Sequence, residues 1–183
     1  MLTVNNLYKS FSSAEVIKNL SFELKKTGVT VITGKSGCGK STLLSIILGL
    51  IKADSGEVIR KTDKISALFQ EDRLLENRSC VENLTFVGAD ESESRALLEK
   101  LGLGDSLNVP AKELSGGMRR RVAFARAIIT KPDLLLLDEP LNALDKETAN
   151  RLARYIEEYA KEHAVLMVTH RPEAVSYIQK IEL

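Results

Sequence analysis

An α/β fold is predicted, with a mostly parallel sheet, antiparallel strands ahead of it and an α-helical insertion within it. Three observations predict it. Val29-Thr30-Val31-Ile32-Thr33 is apolar and β-branched, and it leads through a glycine-rich segment into Leu43-Leu44-Ser45-Ile46-Ile47-Leu48, which has the composition of a buried helix. Leu134-Leu135-Leu136-Leu137 shows no polar alternation, which marks a strand covered on both faces, as parallel strands are. Between them, from Glu71 to about Ala125, strand-like runs disappear and helical spacing replaces them.

Taken in order, residues 2–8 and 16–24 read as strands, the second alternating Leu20, Phe22 and Leu24 against Ser21 and Glu23. Lys9 to Ser13 between them reads as a polar turn carrying one aromatic, Phe11. The strand at 29–33 and the glycine segment are followed by a helix starting near Lys40. Ala53-Asp54-Ser55-Gly56 is a turn, and short strands follow at 57–60 and 65–69, the second closed by Gln70. In the insertion, Ala96, Leu97 and Leu101 fall at helical spacing over Glu91 to Leu101, and Gly102 ends the helix. Leu114-Ser115-Gly116-Gly117-Met118 precedes a helix over Arg119 to Ile129, with Val122, Ala125 and Ile129 on one side and arginines on the others. Lys131-Pro132 breaks it. The leucine strand ends in Asp138-Glu139, residues 146–161 are helical, and a buried strand over Ala164 to Thr169 ends at His170. A short helix near Glu173 to Tyr177 and a terminal Ile181-Glu182-Leu183 complete the chain. The expected organisation is a single domain over 1–183, its core at about 1–70 and 126–183 and its insertion at about 71–125.

Composition narrows the partners. With 26 basic and 25 acidic side chains the net charge is +1, so no strong field points toward nucleic acid, and none is expected as a partner. The longest apolar runs fall far short of the roughly 20 residues of a membrane span. No basic segment followed by an apolar one opens the chain, so no secretory signal is expected. Cys38 and Cys80 form neither a C-x-x-C pair nor a disulfide framework, which suits a reducing compartment.

The chemistry concentrates in Gly34-Lys35-Ser36-Gly37-Cys38-Gly39-Lys40-Ser41-Thr42. The spacing G-x-x-x-x-G-K-[ST] between a strand and a helix describes a phosphate cradle. Gly34, Gly37 and Gly39 permit positive φ, so successive N–H groups can converge on one anion. The helix start adds its positive dipole end, Lys40 reaches the β- and γ-phosphates, and the Ser41 hydroxyl is placed for the Mg²⁺ that bridges them. Ser36, Cys38 and Thr42 complete the loop. The hydroxyl and glycines at Ser115-Gly116-Gly117 open a second helix N-terminus able to receive an anion.

With Gln70 after a strand, Leu114 to Met118, Asp138-Glu139, Leu141-Asn142-Ala143-Leu144-Asp145 and His170 following that loop in order, the chain resembles the nucleotide-binding subunit of an ATP-binding-cassette transporter over essentially its whole length. The resemblance implies a RecA-like P-loop NTPase core that hydrolyses ATP with Mg²⁺. It implies that Asp138 binds the metal through water, Glu139 is the general base, His170 holds the γ-phosphate and Glu139 in register, and Gln70 touches the metal or the water. Phe11 matches the adenine-stacking aromatic, with Tyr8 open as the alternative. Ser115, Gly116 and Gly117 would cover the γ-phosphate bound by a second copy, giving two ATP molecules sandwiched between head-to-tail subunits, with Asp145 crossing the same interface and free to cap the helix that starts near Lys146 at the same time. Met118 stands where glutamine is commonest, as in branches resembling sulfonate, nitrate and taurine importers. The implied partners are integral membrane permease subunits and, through them, a solute-binding protein. The implied location is cytoplasmic, peripheral at the inner face of the cell membrane. The competing reading is a soluble cassette ATPase of DNA repair or translation.

Overall fold

The computed structural model describes residues 1–12 and 14–183. Three strands, β1 (Leu2–Phe11), β2 (Ala14–Leu24) and β4 (Ser55–Arg60), form an antiparallel sheet in the order β2-β1-β4. Leu2, Val4 and Leu7 of β1 and Ile17 and Leu24 of β2 turn inward. β1 is longer than expected. Ser10 and Phe11 pair with Glu15 and Ala14, and the Asp54 carboxylate accepts from Lys9 Nζ at 2.6 Å and from the Ser10 amide at 2.7 Å. Those bonds extend a stretch whose polarity suggested a turn, leaving Ser12 in the turn, while Ser13 lies outside the described residues.

The second sheet holds β3 (Gly28–Thr33), β5 (Ile65–Leu68), β6 (Leu134–Asp138), β7 (Ala164–Val168) and β8 (Gln179–Glu182) in the order β5-β6-β7-β3-β8, every pair parallel. Its central strands are buried on both faces, as the unbroken leucines of β6 require. Consecutive side chains point to opposite faces and so divide the core in two. Leu134 and Leu136 pack with α1 (Lys40–Ile47) and the antiparallel sheet, whereas Leu135 and Leu137 pack with the insertion and with α5 (Lys146–Ala160).

The insertion carries α2 (Cys80–Thr85), α3 (Glu91–Lys100) and α4 (Gly116–Ile128). α3 ends as expected, with Gly102 at φ 72. α2 was not foreseen. Ser79 caps it in a capping box with Glu82. α4 starts three residues before Arg119, because the Ser115 hydroxyl accepts from the Met118 amide at 3.3 Å and lets the glycines join the helix. Its arginines are not all on open sides, since Arg120 is buried among backbone carbonyls. The helix expected near Glu173 to Tyr177 is a single 3-10 turn over Pro172–Ala174, and the chain then enters β8 beside β3. Among the described residues no helix is long and apolar enough to cross a membrane.

Candidate active site

The parallel sheet determines where chemistry can occur. β3, β5, β6 and β7 all end on the same side, and open α/β sheets bind ligands beyond their carboxyl ends. β3 delivers the glycine loop there, with Gly37 at φ 80 and Gly39 at φ 101, both in the left-handed region that favours glycine. A Cβ on Gly39 would also lie 2.6 Å from the Val16 carbonyl oxygen, so β2 backs the loop closely. α1 begins with neither a side-chain cap nor an acidic residue in its first turn, which leaves its amides and its positive dipole end to a ligand. The buried Lys40 folds over the loop, donating to the carbonyls of Gly34 at 2.9 Å and Lys35 at 2.8 Å.

β6 brings Asp138 and Glu139 opposite the loop, both almost fully buried. Glu139 adopts a left-handed backbone at φ 48, its amide donating to the Val168 carbonyl at 3.0 Å. Its Oε2 accepts from the His170 amide at 3.4 Å. The other oxygen, Oε1, lies 3.4 Å from His170 Nε2 in a geometry short of a hydrogen bond, so it is buried with no hydrogen-bond partner among the described residues. Burial pushes the Glu139 carboxyl above the ordinary glutamate range, a shift that the His170 amide partly offsets.

One cavity of about 300 Å³ joins these groups. Ser36, Gly37, Gly39, Lys40, Ser41 and Thr42 line one wall, and Gln70, Asp138, Glu139 and His170 the other. Gly34 and Cys38 do not line the cavity, and Gly34 supplies its carbonyl to Lys40. Phe11 stands away from the cavity at the hairpin tip, 47% exposed, with the Lys9 ammonium 5.2 Å from its ring centre. Ser115, Gly116 and Gly117 do not line the cavity, and a Cβ on Gly116 would meet open space. Asp145 caps α5, its carboxylate accepting from the Thr148 amide at 2.9 Å, and these bonds hold it below the ordinary aspartate range.

Two residues received no role from the sequence alone. Asn142, within the Leu141–Asp145 motif, lines the cavity and donates its backbone amide to the Glu139 carbonyl at 3.2 Å. Arg120 binds the backbone behind both Gln70 and Glu139, and the signal for it was available: Phe124, Ala127 and Ile128 are buried at helical spacing from it. Ser41, Gln70 and Asp138 present hard oxygen donors in one cavity beside the phosphate cradle, a set that fits a Mg²⁺ sharing its coordination with phosphate and water.

The ABC transporter family model matches residues 17–142 of this chain. The chain belongs to the ABC transporter family. Its relatives include the aliphatic sulfonates import ATP-binding protein SsuB 3 of Pseudomonas savastanoi pv. phaseolicola, 38% identical to this ABC ATPase over 100% of the chain and 72% of the relative. Another is the aliphatic sulfonates import ATP-binding protein SsuB 1 of Shouchella clausii, 38% identical over 98% of the chain and 75% of the relative. Among solved structures, a dimeric post-hydrolysis state of the ATP-binding cassette MJ0796 bound to ADP and Pi superposes with a TM-score of 0.87 at 28% identity, covering 100% of this chain and 94% of that one. A bacterial Atm1-family ABC exporter with ATP bound, at 23% identity and a TM-score of 0.88 over 36% of its length, shares the fold. ATP binding and hydrolysis come with membership of the family.

Proposed function

We propose that this ABC ATPase hydrolyses Mg²⁺-ATP between two copies of itself and thereby drives solute import through separate membrane-spanning subunits, to which it is docked at the cytoplasmic face. One observation carries the reading: the cavity that joins the phosphate loop to Asp138, Glu139 and His170 leaves Ser115, Gly116 and Gly117 outside, on a surface free to meet another copy's triphosphate. The loop amides, the α1 dipole and Lys40 bind the phosphates. Ser41, Asp138 and Gln70 would hold Mg²⁺, which supplies charge neutralisation at the β- and γ-oxygens when bound. Glu139, lifted above the ordinary carboxylate range by burial, accepts the proton of the attacking water, and His170 sets the carboxylate's orientation. Phe11 at the hairpin tip is the candidate for stacking on adenine. The helical insertion over about 71–125 faces the permease. The cargo class that the SsuB names suggest is an aliphatic sulfonate delivered by a solute-binding protein.

Nucleotide then acts as the bond between subunits, because binding and assembly are reciprocal. Glu139→Gln should retain ATP, lose about 10²- to 10⁴-fold in hydrolysis, and elute as an ATP-bound dimer on gel filtration. A monomer with wild-type turnover would refute the reading. Co-purification with an integral membrane protein rather than with nucleic acid separates transport from a soluble repair or translation role.

A further inference from the structure

Arg120 lies on α4, 4% exposed, and its guanidinium meets two segments distant in sequence. One terminal nitrogen, Nη1, donates to the carbonyls of Phe69 at 2.6 Å and Gln70 at 3.3 Å and to the Asp72 carboxylate at 3.0 Å. The other, Nη2, donates to the carbonyls of Asp138 and of Glu139, the latter at 2.9 Å. A buried cation is costly unless its donors are met, and here four backbone carbonyls and one carboxylate meet the two terminal nitrogens, while Nε is buried with no partner among the described residues. Only a planar fork can serve both segments at once; a lysine ammonium is a single point.

The neighbouring arginines make the contrast. Arg119 binds the Glu76 carboxylate at 2.6 Å, and Arg126 donates to the carbonyls of Asp72 at 3.1 Å and Arg73 at 2.9 Å. Both tie α4 to the segment after Gln70, and neither reaches Asp138 or Glu139. Arg120 alone of the three spans from that segment to the carboxyl end of β6. There it shares the Glu139 carbonyl with the Asn142 amide, on a residue whose backbone is already left-handed. The direction of the Glu139 side chain therefore depends on how this carbonyl is held.

We propose that Arg120 is a positioning residue for hydrolysis: from within the helical insertion it locks the backbone of Glu139 to the backbone of Gln70, so that a shift of α4 reaches both together. The inference rests on the reading that Glu139 acts on the attacking water. Residues near Gln70 and residues near Glu139 then respond as one unit to whatever moves the insertion.

The test is steady-state turnover at saturating Mg²⁺-ATP, with nucleotide affinity and melting temperature measured on the same full-length preparations. Arg120→Met should lower kcat by about 10- to 100-fold, the range a displacement of about 1 Å produces, and leave nucleotide affinity within about twofold. Arg120→Lys, which keeps the charge but not the fork, should fall between. Arg126→Gln, which loses only contacts to Asp72 and Arg73, should keep the wild-type kcat. In Glu139→Gln, adding Arg120→Met should lower kcat no further, since the two act through one group. Wild-type kcat in Arg120→Met beside an inactive Glu139→Gln would overturn the inference and leave the functional reading standing, whereas an active Glu139→Gln would overturn the reading itself. Losses in Arg120→Met and Arg126→Gln that simply track melting temperature would reduce Arg120 to a structural tie and overturn the inference. If Arg120→Met does not fold, Arg120→Lys decides by the same criterion, and a wild-type kcat there sinks the proposal.

Discussion

The α-helices of this ABC ATPase begin in two different ways. α2, α3 and α5 compensate their own positive ends: Ser79, Asp90 and Asp145 accept from first-turn amides, and Glu82, Glu91 with Glu93, and Glu147 stand in the first turn. α1 and α4 have no acidic residue there, and α1 has no side-chain cap at all. Caps are worth about 0.5–2 kcal/mol and a first-turn acid about 0.3–1 kcal/mol, so α1 forgoes both while α4, capped by Ser115, forgoes the acid. α1 follows a glycine-bearing loop, and α4 opens with two glycines of its own. One opens into the cavity and the other onto the outer surface. The contrast teaches that the two starts clear of the chain's own carboxylates face different surroundings, and on the proposed function each receives phosphate from a different nucleotide.

The comparison breaks most visibly at α1. Lys40→Ala should weaken ATP binding by about 10- to 150-fold, the equivalent of a charge-assisted hydrogen bond worth about 1.5–3 kcal/mol; calorimetry returning wild-type affinity would contradict the cradle. At the other start, Ser115→Arg should cut turnover by at least about tenfold through mispositioning while nucleotide still binds the loop of the monomer. Unchanged turnover would show that α4 takes no part. Met118→Glu sharpens the contrast, because it recreates at α4 the capping box that Ser79 and Glu82 make at α2. Melting temperature should rise slightly, and ATP-driven dimerisation should weaken about two- to fivefold, the factor that a dipole contribution of 0.3–1 kcal/mol sets. A tighter ATP dimer would reverse the argument.

The smallest effect concerns the Glu139 carboxylate in the cavity that α1 opens into. Burial raises Glu139 above its ordinary value of 4.5, so between that value and the raised one the folded chain keeps a proton that the unfolded chain has released. Stability therefore falls as pH rises through that window, and the ionised carboxylate is a net cost at neutral pH. Nucleotide-free Glu139→Gln should melt above the wild type at pH 7.5. The gap should close on acidification toward the ordinary carboxylate range. A gap that widens in acid would exclude the assignment.

Much of this was legible in the sequence because it depends on local rules. Four leucines can be covered on both faces only inside a sheet, and the glycine loop announces itself by spacing between a strand and a helix. The features that were not legible depend on distant partners. Lys9, Ser10 and Phe11 read as a turn until Asp54 and the strand beyond the hairpin hold them extended. Residues 179–182 have little strand character, and the open edge of β3 recruits them. α2 carries too few turns for periodicity to register, although its capping box was present. Arg120 was read by its charge, which predicts a solvent face, when its place on the helix predicted burial.

The alternation along β6 has a practical corollary. Adjacent leucines on this one strand belong to different halves of the interior, Leu134 and Leu136 beside α1 and Leu135 and Leu137 beside the insertion and α5. Isotope-labelled methyl groups on neighbouring residues thus become separate gauges set in a dividing wall, one pair reporting on the side of the phosphate loop and the other on the side of the insertion.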